Sequence, residues 1–73
     1  MSNYGVALFH NTSAVMRAEK VLQKDGIAVK LIPTPREFSS DCGLAVRFPL
    51  PDKERVSTLL SQAHVDVAGL HAM

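Results

Sequence analysis

Hydrophobic residues fall into four short segments of the chain that predict β-strands. These are residues 4–10, 27–32, 44–48 and 65–70. In residues 44–48, Leu44, Val46 and Phe48 alternate with Ala45 and Arg47, which is the pattern of a strand with two different faces. Residues 27–32 are rich in β-branched and apolar residues, as buried strands are.

Two further segments carry apolar residues at helical spacing. Asn11, Thr12 and Ser13 are good helix caps, and Gly26 is a typical C-terminal stop. Between them the spacing predicts a helix whose apolar face comprises Ala14, Ala18, Val21 and Leu22. A second helix is predicted from Pro51-Asp52 onward, with Val56, Leu59, Leu60 and Ala63 on one face.

The resulting order, β-α-β-β-α-β, predicts a single α+β domain over residues 1–73 with the ferredoxin-like fold. Right-handed crossovers place both helices on one face of a four-stranded antiparallel sheet of order 4-1-3-2. The predicted helix-facing residues are Val6, Leu8, Ile27, Val29, Leu31, Leu44, Val46, Phe48, Val65 and Val67. The predicted open-face residues are Ala7, Phe9, Ala28, Ile32, Ala45, Ala68 and Leu70. Because that open face is apolar, we expect a second copy to cover it in a homo-oligomer.

Composition narrows the functional classes. Hydrophobic residues make up 47% of the chain and charged residues 21%, with a net charge of +1, so nothing points to nucleic acid or an anionic membrane as partner. No apolar run approaches a membrane span, and the first residues do not resemble a signal peptide. A single cysteine cannot form an internal disulfide, so we expect a cytoplasmic protein.

The segment between the second and third predicted strands is the functional candidate. It is long, enters through Pro33 and Pro35, and ends at Cys42, the one cysteine of the chain. The fold would bring Cys42 near the start of the first helix, with His10, Asn11, Thr12 and Ser13 as neighbours and His64 in range. Helix N-termini favour a thiolate, and Arg36 would add positive charge, whereas Asp41 would oppose ionisation.

Residues 27–48 resemble a small family of selenium/sulfur carrier-like proteins. The resemblance rests on the motif P-x-P-R-x-x-S-S-x-C-G, supported by Phe9-His10 and by Ala18-Glu19-Lys20 with Leu22. It implies that Cys42 accepts sulfur or selenium as a persulfide or selenosulfide and passes it to an acceptor protein. It further implies that Arg36, Ser39, Ser40 and Gly43 shape the site. Donor and acceptor proteins would be the partners, with no cofactor beyond the carried atom.

Other interpretations remain open from the residues themselves. Cys42 can be an inert small hydrophobe, Gly43 a glycine kept for a positive φ, and Ser39 and Ser40 ordinary turn residues. A non-catalytic regulatory module could instead bind an anion through Arg36 and the two serines. His10, His64 and His71 lack the short spacing of metal ligands, so no metal site is predicted. Few aromatics argue against RNA binding, and no residue set supports independent turnover.

Overall fold

A computed structural model describes residues 3–38 and 43–72 and confirms the ferredoxin-like fold. Its four strands form one antiparallel sheet in which the strands, numbered along the chain, lie in the order 2-3-1-4. Two helices cover one face, which we call the helix face, and we call the other the outer face. The elements are β1 (Tyr4–Phe9), α1 (Thr12–Lys24), β2 (Lys30–Pro33), β3 (Leu44–Pro49), a 3-10 turn (Leu50–Asp52), α2 (Lys53–Gln62) and β4 (Val67–Ala72).

Helix α1 begins and ends as its sequence predicts. Asn11 is the N-cap, and its side-chain oxygen accepts a hydrogen bond from the Ala14 amide at 2.8 Å. At the other end Gly26 takes φ +83°, and the amide of Ile27 donates to the Leu22 carbonyl at 3.0 Å. This is a Schellman motif, whose left-handed residue is glycine because a Cβ there is unfavourable.

Helix α2 ends in the same motif without a glycine. His64 takes φ +57°, and the amide of Val65 donates to the Leu60 carbonyl at 2.9 Å. A residue with a Cβ costs about 1–2 kcal/mol in this conformation. His64 therefore occupies a position where the backbone would be more stable with glycine.

The two helices lie antiparallel and are tied at both ends. Arg17 in α1 donates to the carbonyl of Ala63 after α2, at 3.1 Å, and Arg55 in α2 pairs with Asp25 after α1. These groups are exposed, so each contact contributes at most about 1 kcal/mol. The burial of Val15, Ala18 and Leu22 from α1 and of Val56 and Leu60 from α2 holds the layers together.

The faces of β1 are the reverse of the prediction. Ala7 and Phe9 are fully buried on the helix face, whereas Val6 and Leu8 lie on the outer face. The prediction assigned the larger branched residues to the helices. Cross-strand partners share a face, so Ala7, which lies opposite Val46, lies on the helix face with it, and Phe9 follows two residues later. The face assignments within the observed β2 and β3 were correct: Leu31, Val46 and Phe48 lie on the helix face, and Ile32 and Ala45 on the outer face. The second strand was predicted to begin at residue 27 but begins at Lys30, so Ala28, predicted on the open face, precedes the sheet.

A β-bulge in β4 explains a second difference from the predicted faces. Leu8 pairs with Gly69 but the next residue, Phe9, pairs with Val67, so Ala68 is an extra residue. The extra residue resets the alternation, and both Val67 and Leu70 pack against the helix-face core. Leu70 was predicted on the open face, because simple alternation from Val67 takes no account of a bulge.

Gly5 lies under the ring of Phe48. The two residues are cross-strand partners in β1 and β3, and a Cβ at position 5 would come within 2.5 Å of the Phe48 ring. Phe48 is fully buried, so its ring has no free space into which it could move. Glycine is required at this position by a side chain on the neighbouring strand.

We expect Gly5→Ala to destabilise the protein by about 1–3 kcal/mol, because the new methyl group overpacks the core. Urea denaturation measures the change in free energy of unfolding. The matched experiment repeats the substitution in a Phe48→Leu background, where the smaller side chain leaves more room. A cost that is equal in both backgrounds would show that the Phe48 ring is not the reason for glycine.

The residues in the left-handed conformation after α1 and α2 lead to opposite predictions for stability. We expect His64→Gly to stabilise the protein by about 0.5–1 kcal/mol. The substitution removes the cost of a Cβ in the left-handed conformation, and this gain exceeds the additional conformational entropy that glycine loses on folding. Gly26→Ala should cost about 1 kcal/mol for the reverse reason. A Cβ at position 26 meets no atom within 4 Å, so this cost isolates the backbone term. Thermal unfolding of both variants tests the pair, and a shift of equal sign would contradict the explanation.

Candidate functional site

The connection between β2 and β3 is closed at its base by a backbone hydrogen bond. The amide of Thr34 donates to the carbonyl of Gly43 at 3.0 Å, directly beyond the last cross-strand pair, Pro33 and Leu44. A second backbone bond, from the Phe38 amide to the Pro35 carbonyl at 3.0 Å, makes a tight turn early in the loop. The segment 39–42, which includes Cys42, Ser39 and Ser40, lies outside the described residues.

Phe38 directs the first half of this loop onto the outer face of the sheet. Its side chain is half-buried and packs with Ile32 against a small cluster formed by Val6, Leu8 and Ala45. Those three cluster residues belong to β1 and β3 and are almost fully buried. The loop is therefore fastened to the side of the sheet opposite the helices.

The ring of Phe38 also reaches β4, where it stacks on His71. The two ring centroids are 4.6 Å apart and the rings are nearly parallel, at 12°. His71 pairs with Val6 across β1 and β4. Its ring lies over Gly69, where a Cβ would be 3.0 Å from Nε2 of the imidazole. Glycine at position 69 thus leaves the space in which the imidazole lies.

The outer face is covered in part by the chain itself. Phe38 and His71 cover it on the β4 side of Val6, and on the β3 side the guanidinium of Arg47, the cross-strand partner of Val6, lies 4.3 Å from the centroid of the Tyr4 ring. Val6 and Ala45 between them are fully buried without a second molecule. Homo-oligomerisation through this face stays a prediction, and any partner copy would meet these side chains rather than a bare apolar surface.

The predicted site residues that the structure describes lie at or near the end of the sheet where β1 ends and β3 begins. Strand β1 ends at Phe9, and β3 starts at Leu44, next to Ala45, the partner of Leu8. The start of α1 and the base of the loop therefore share one end, as the topology predicts. At that end the structure places His10, Asn11, Thr12 and Ser13, all exposed, while Arg36 is exposed in the turn of the loop and Gly43 at its base. The distances from Cys42 to these groups stay a prediction.

Asn11 has a structural role in addition to its predicted place near the site. Its side-chain oxygen is occupied by the Ala14 amide, and its carbonyl accepts from Val15 at 3.3 Å. The Ala14 amide, one of the amides at the helix start that could bind an anion, is therefore already hydrogen-bonded within the cap. The remaining positive end of α1 is what the predicted thiolate could use.

Several kinds of site are absent from the described part of the chain. Residues 3–38 and 43–72 contain no group of three or more His, Asp or Glu side chains placed to hold a metal ion. They also enclose no detectable cavity for a small molecule. Among the described helices, none is long and apolar enough to cross a bilayer.

Comparison with known proteins assigns the chain to a family. The model of the family described as "Putative Se/S carrier protein-like" matches residues 4–72, which is nearly the full sequence. The chain belongs to this family. A protein of Methanocaldococcus jannaschii, named "Uncharacterized protein MJ0011", is 39% identical over 49 residues. That match covers 67% of this chain and 24% of the relative, so the chain spans about a quarter of that protein. No solved structure matches the chain.

Phe38 and His71 anchor the loop, and the sequence analysis did not identify either of them. Phe38 is the one large apolar residue between Pro35 and Leu44, and an aromatic side chain in such a polar loop needs a surface to cover. That signal was available. His71 had no signal, because its contact with Phe38 joins β4 to a loop more than thirty residues earlier in the chain.

We expect Phe38→Ala to lower the free energy of unfolding by about 1–2 kcal/mol, since a half-buried phenylalanine contributes less than a core one. Urea denaturation provides the measurement. The control is Glu37→Ala at the exposed neighbouring position, for which a change within about 0.5 kcal/mol is expected. Equal effects of the two substitutions would show that Phe38 does not anchor the loop.

Proposed function

We propose that this protein carries sulfur or selenium on Cys42, as a persulfide or selenosulfide, and passes the atom to an acceptor protein. The observation that carries the proposal is the match of residues 4–72 to the Se/S carrier-like family in a chain with one cysteine. The cytoplasm, where thiols stay reduced, is the proposed location.

The proposed loading step is a thiol exchange without net oxidation. The Cys42 thiolate attacks the terminal sulfur of a persulfide on a donor enzyme, forming a new S–S bond. The donor's S–S bond breaks, and its cysteine leaves as a thiolate. For selenium the thiolate attacks the selenium of a donor S–SeH group, and the same donor thiolate leaves. Delivery repeats the step in reverse, with an acceptor nucleophile attacking the terminal atom and Cys42 leaving as the thiolate.

The composition of the chain suits this cycle. With a single cysteine, no second thiol in the chain can attack the persulfide and discharge it as an internal disulfide. A dithiol oxidoreductase would need such a partner. One thiol per chain supports a carrier that waits for another protein to remove its load.

The loop motif would supply the surroundings of the carried atom. Arg36 offers positive charge beside the terminal anion, and Ser39 and Ser40 offer hydroxyl donors. Gly43, whose carbonyl closes the loop base, would leave the backbone next to Cys42 uncrowded. His10, Asn11, Thr12 and Ser13 are the proposed neighbours from the start of α1, whose positive end favours a thiolate.

The alternative of a ligand-binding regulatory module gains no support. Small-molecule sites are usually concave, and the described residues form no such cavity. The family description refers to carriage of sulfur or selenium, which favours the first proposal.

Intact-protein mass spectrometry tests the carrier function. The protein is incubated with a cysteine desulfurase and cysteine, and separately with a selenocysteine-derived selenium donor, without reductant. We expect a gain of one sulfur or selenium atom that reductant removes. Cys42→Ser should gain neither, because it lacks the only thiol of the chain.

The desulfurase provides the internal control for this experiment. If the desulfurase becomes persulfidated in the same tube while the wild-type protein stays unmodified, the carrier proposal is wrong. A gain that persists in Cys42→Ser would equally overturn it, since the atom would then not be held by the cysteine.

A further inference from the structure

We propose that Phe38 and His71 form a clasp that positions the Cys42 loop for transfer between proteins, with His71 as a positioning residue. The inference rests on the proposed carrier function but uses different observations. It concerns two side chains on the outer face of the sheet: Phe38, at a variable position of the P-R-x-x-S-S-x-C-G motif, and His71, which lies outside the motif. His71 lies near the C-terminal end of the chain, in the edge strand β4.

The loop half of the clasp is held by three kinds of contact. The Phe38 amide donates to the Pro35 carbonyl, its side chain packs on Val6, Leu8 and Ala45, and its ring stacks on His71 at 4.6 Å. The packing alone would bury Phe38 near β1 and β3. The stack extends the contact to β4, so Phe38 contacts the strands on both sides of β1.

The strand half of the clasp is prepared by the backbone. His71 follows Gly69 by two residues on the same face, and its imidazole occupies the space that a side chain at position 69 would fill. A Cβ at that position would lie only 3.0 Å from Nε2, so a larger residue would displace the ring. Gly69 is therefore the residue that lets His71 lie flat against Phe38, at an angle of 12° between the rings.

Both ends of the segment that contains Cys42 are thus tied to the sheet. Phe38 is four residues before Cys42 and is held by the clasp, and Gly43 follows Cys42 and is held by Thr34. Transfer of an atom between two proteins requires the attacking thiolate to align with the bond that breaks, and restricting the loop lowers the entropy lost in that alignment. A small reagent has no such requirement, because it approaches a thiol from any open direction.

Nuclear magnetic resonance tests the clasp independently of sulfur. In wild type we expect ring-current shifts of the His71 imidazole protons, which disappear in Phe38→Leu. His71→Ala should lower the backbone order parameters of residues 36–38, and His71→Phe, which keeps an aromatic ring, should restore them. Met16→Ala is the control, since Met16 is the exposed large hydrophobic residue on α1, in the opposite layer.

Gly69→Ala adds a second route to the same effect. It leaves both rings of the clasp in the sequence and shifts only the imidazole, so we expect it to lower the order parameters in the same direction as His71→Ala but by less. Because His71 is exposed, its variants should fold, and their unfolding midpoints are compared with wild type first. Order parameters unchanged in both His71→Ala and Gly69→Ala would overturn the clasp.

A transfer experiment tests the role of the clasp. The rate of sulfur transfer from a persulfidated desulfurase to Cys42 should fall about tenfold in His71→Ala and recover in His71→Phe. The rate of alkylation by iodoacetamide should not fall in either variant. This difference separates positioning of the loop from a general loss of thiol reactivity, which would slow both reactions.

The outcomes distinguish this inference from the carrier function. A wild-type protein that takes up no sulfur overturns the carrier function, and the role in transfer with it, while the order parameters still decide whether the clasp exists. If wild type takes up sulfur and His71→Ala does so at the same rate, the role of the clasp in transfer is wrong, while the carrier function stands.

Discussion

The ring of Phe48 lies directly over the backbone of Gly5, and this contact constrains much of the sheet. It joins β3 to β1, the two inner strands of the sheet. With Gly5 facing the helices, strand alternation places Ala7 and Phe9 on the same face and Val6 and Leu8 on the other. A shift of one residue would move the buried Phe9 to the outer face, so the packing under Phe48 and the register support each other.

The outer face follows from that register. Because Val6 and Leu8 point away from the helices, the sheet has a second small apolar cluster that must be covered. The chain covers it with Phe38 from the β2–β3 loop, and with Ile32 beside it. The alternation of residues in β1 thus determines the surface on which Phe38 anchors the loop of the candidate site. The helix layer and the candidate loop are anchored on opposite faces of one sheet.

Much of the fold could be predicted because its signals are local. Asn11 caps α1 and Gly26 ends it through interactions within a few residues, and apolar spacing in α2 is a local property as well. The faces of β1 could not be assigned this way, because both residue sets are apolar and their choice depends on β3 and the helices. Leu70 was misassigned for a related reason, since the bulge before it exists only in the pairing of β4 with β1.

For the candidate site, the proposed thiol chemistry comes from the sequence, whereas the contacts that anchor the loop come from the tertiary structure. One cysteine within a specific motif is a property of the chain itself, and it supported the family that the comparison then showed. The shared end of the loop base and α1 follows from the order of elements, which local patterns predict. The stack of Phe38 on His71 required the folded sheet, because it joins residues distant in sequence across the central strand. No local pattern records such a contact, since its energy arises only when the strands are paired.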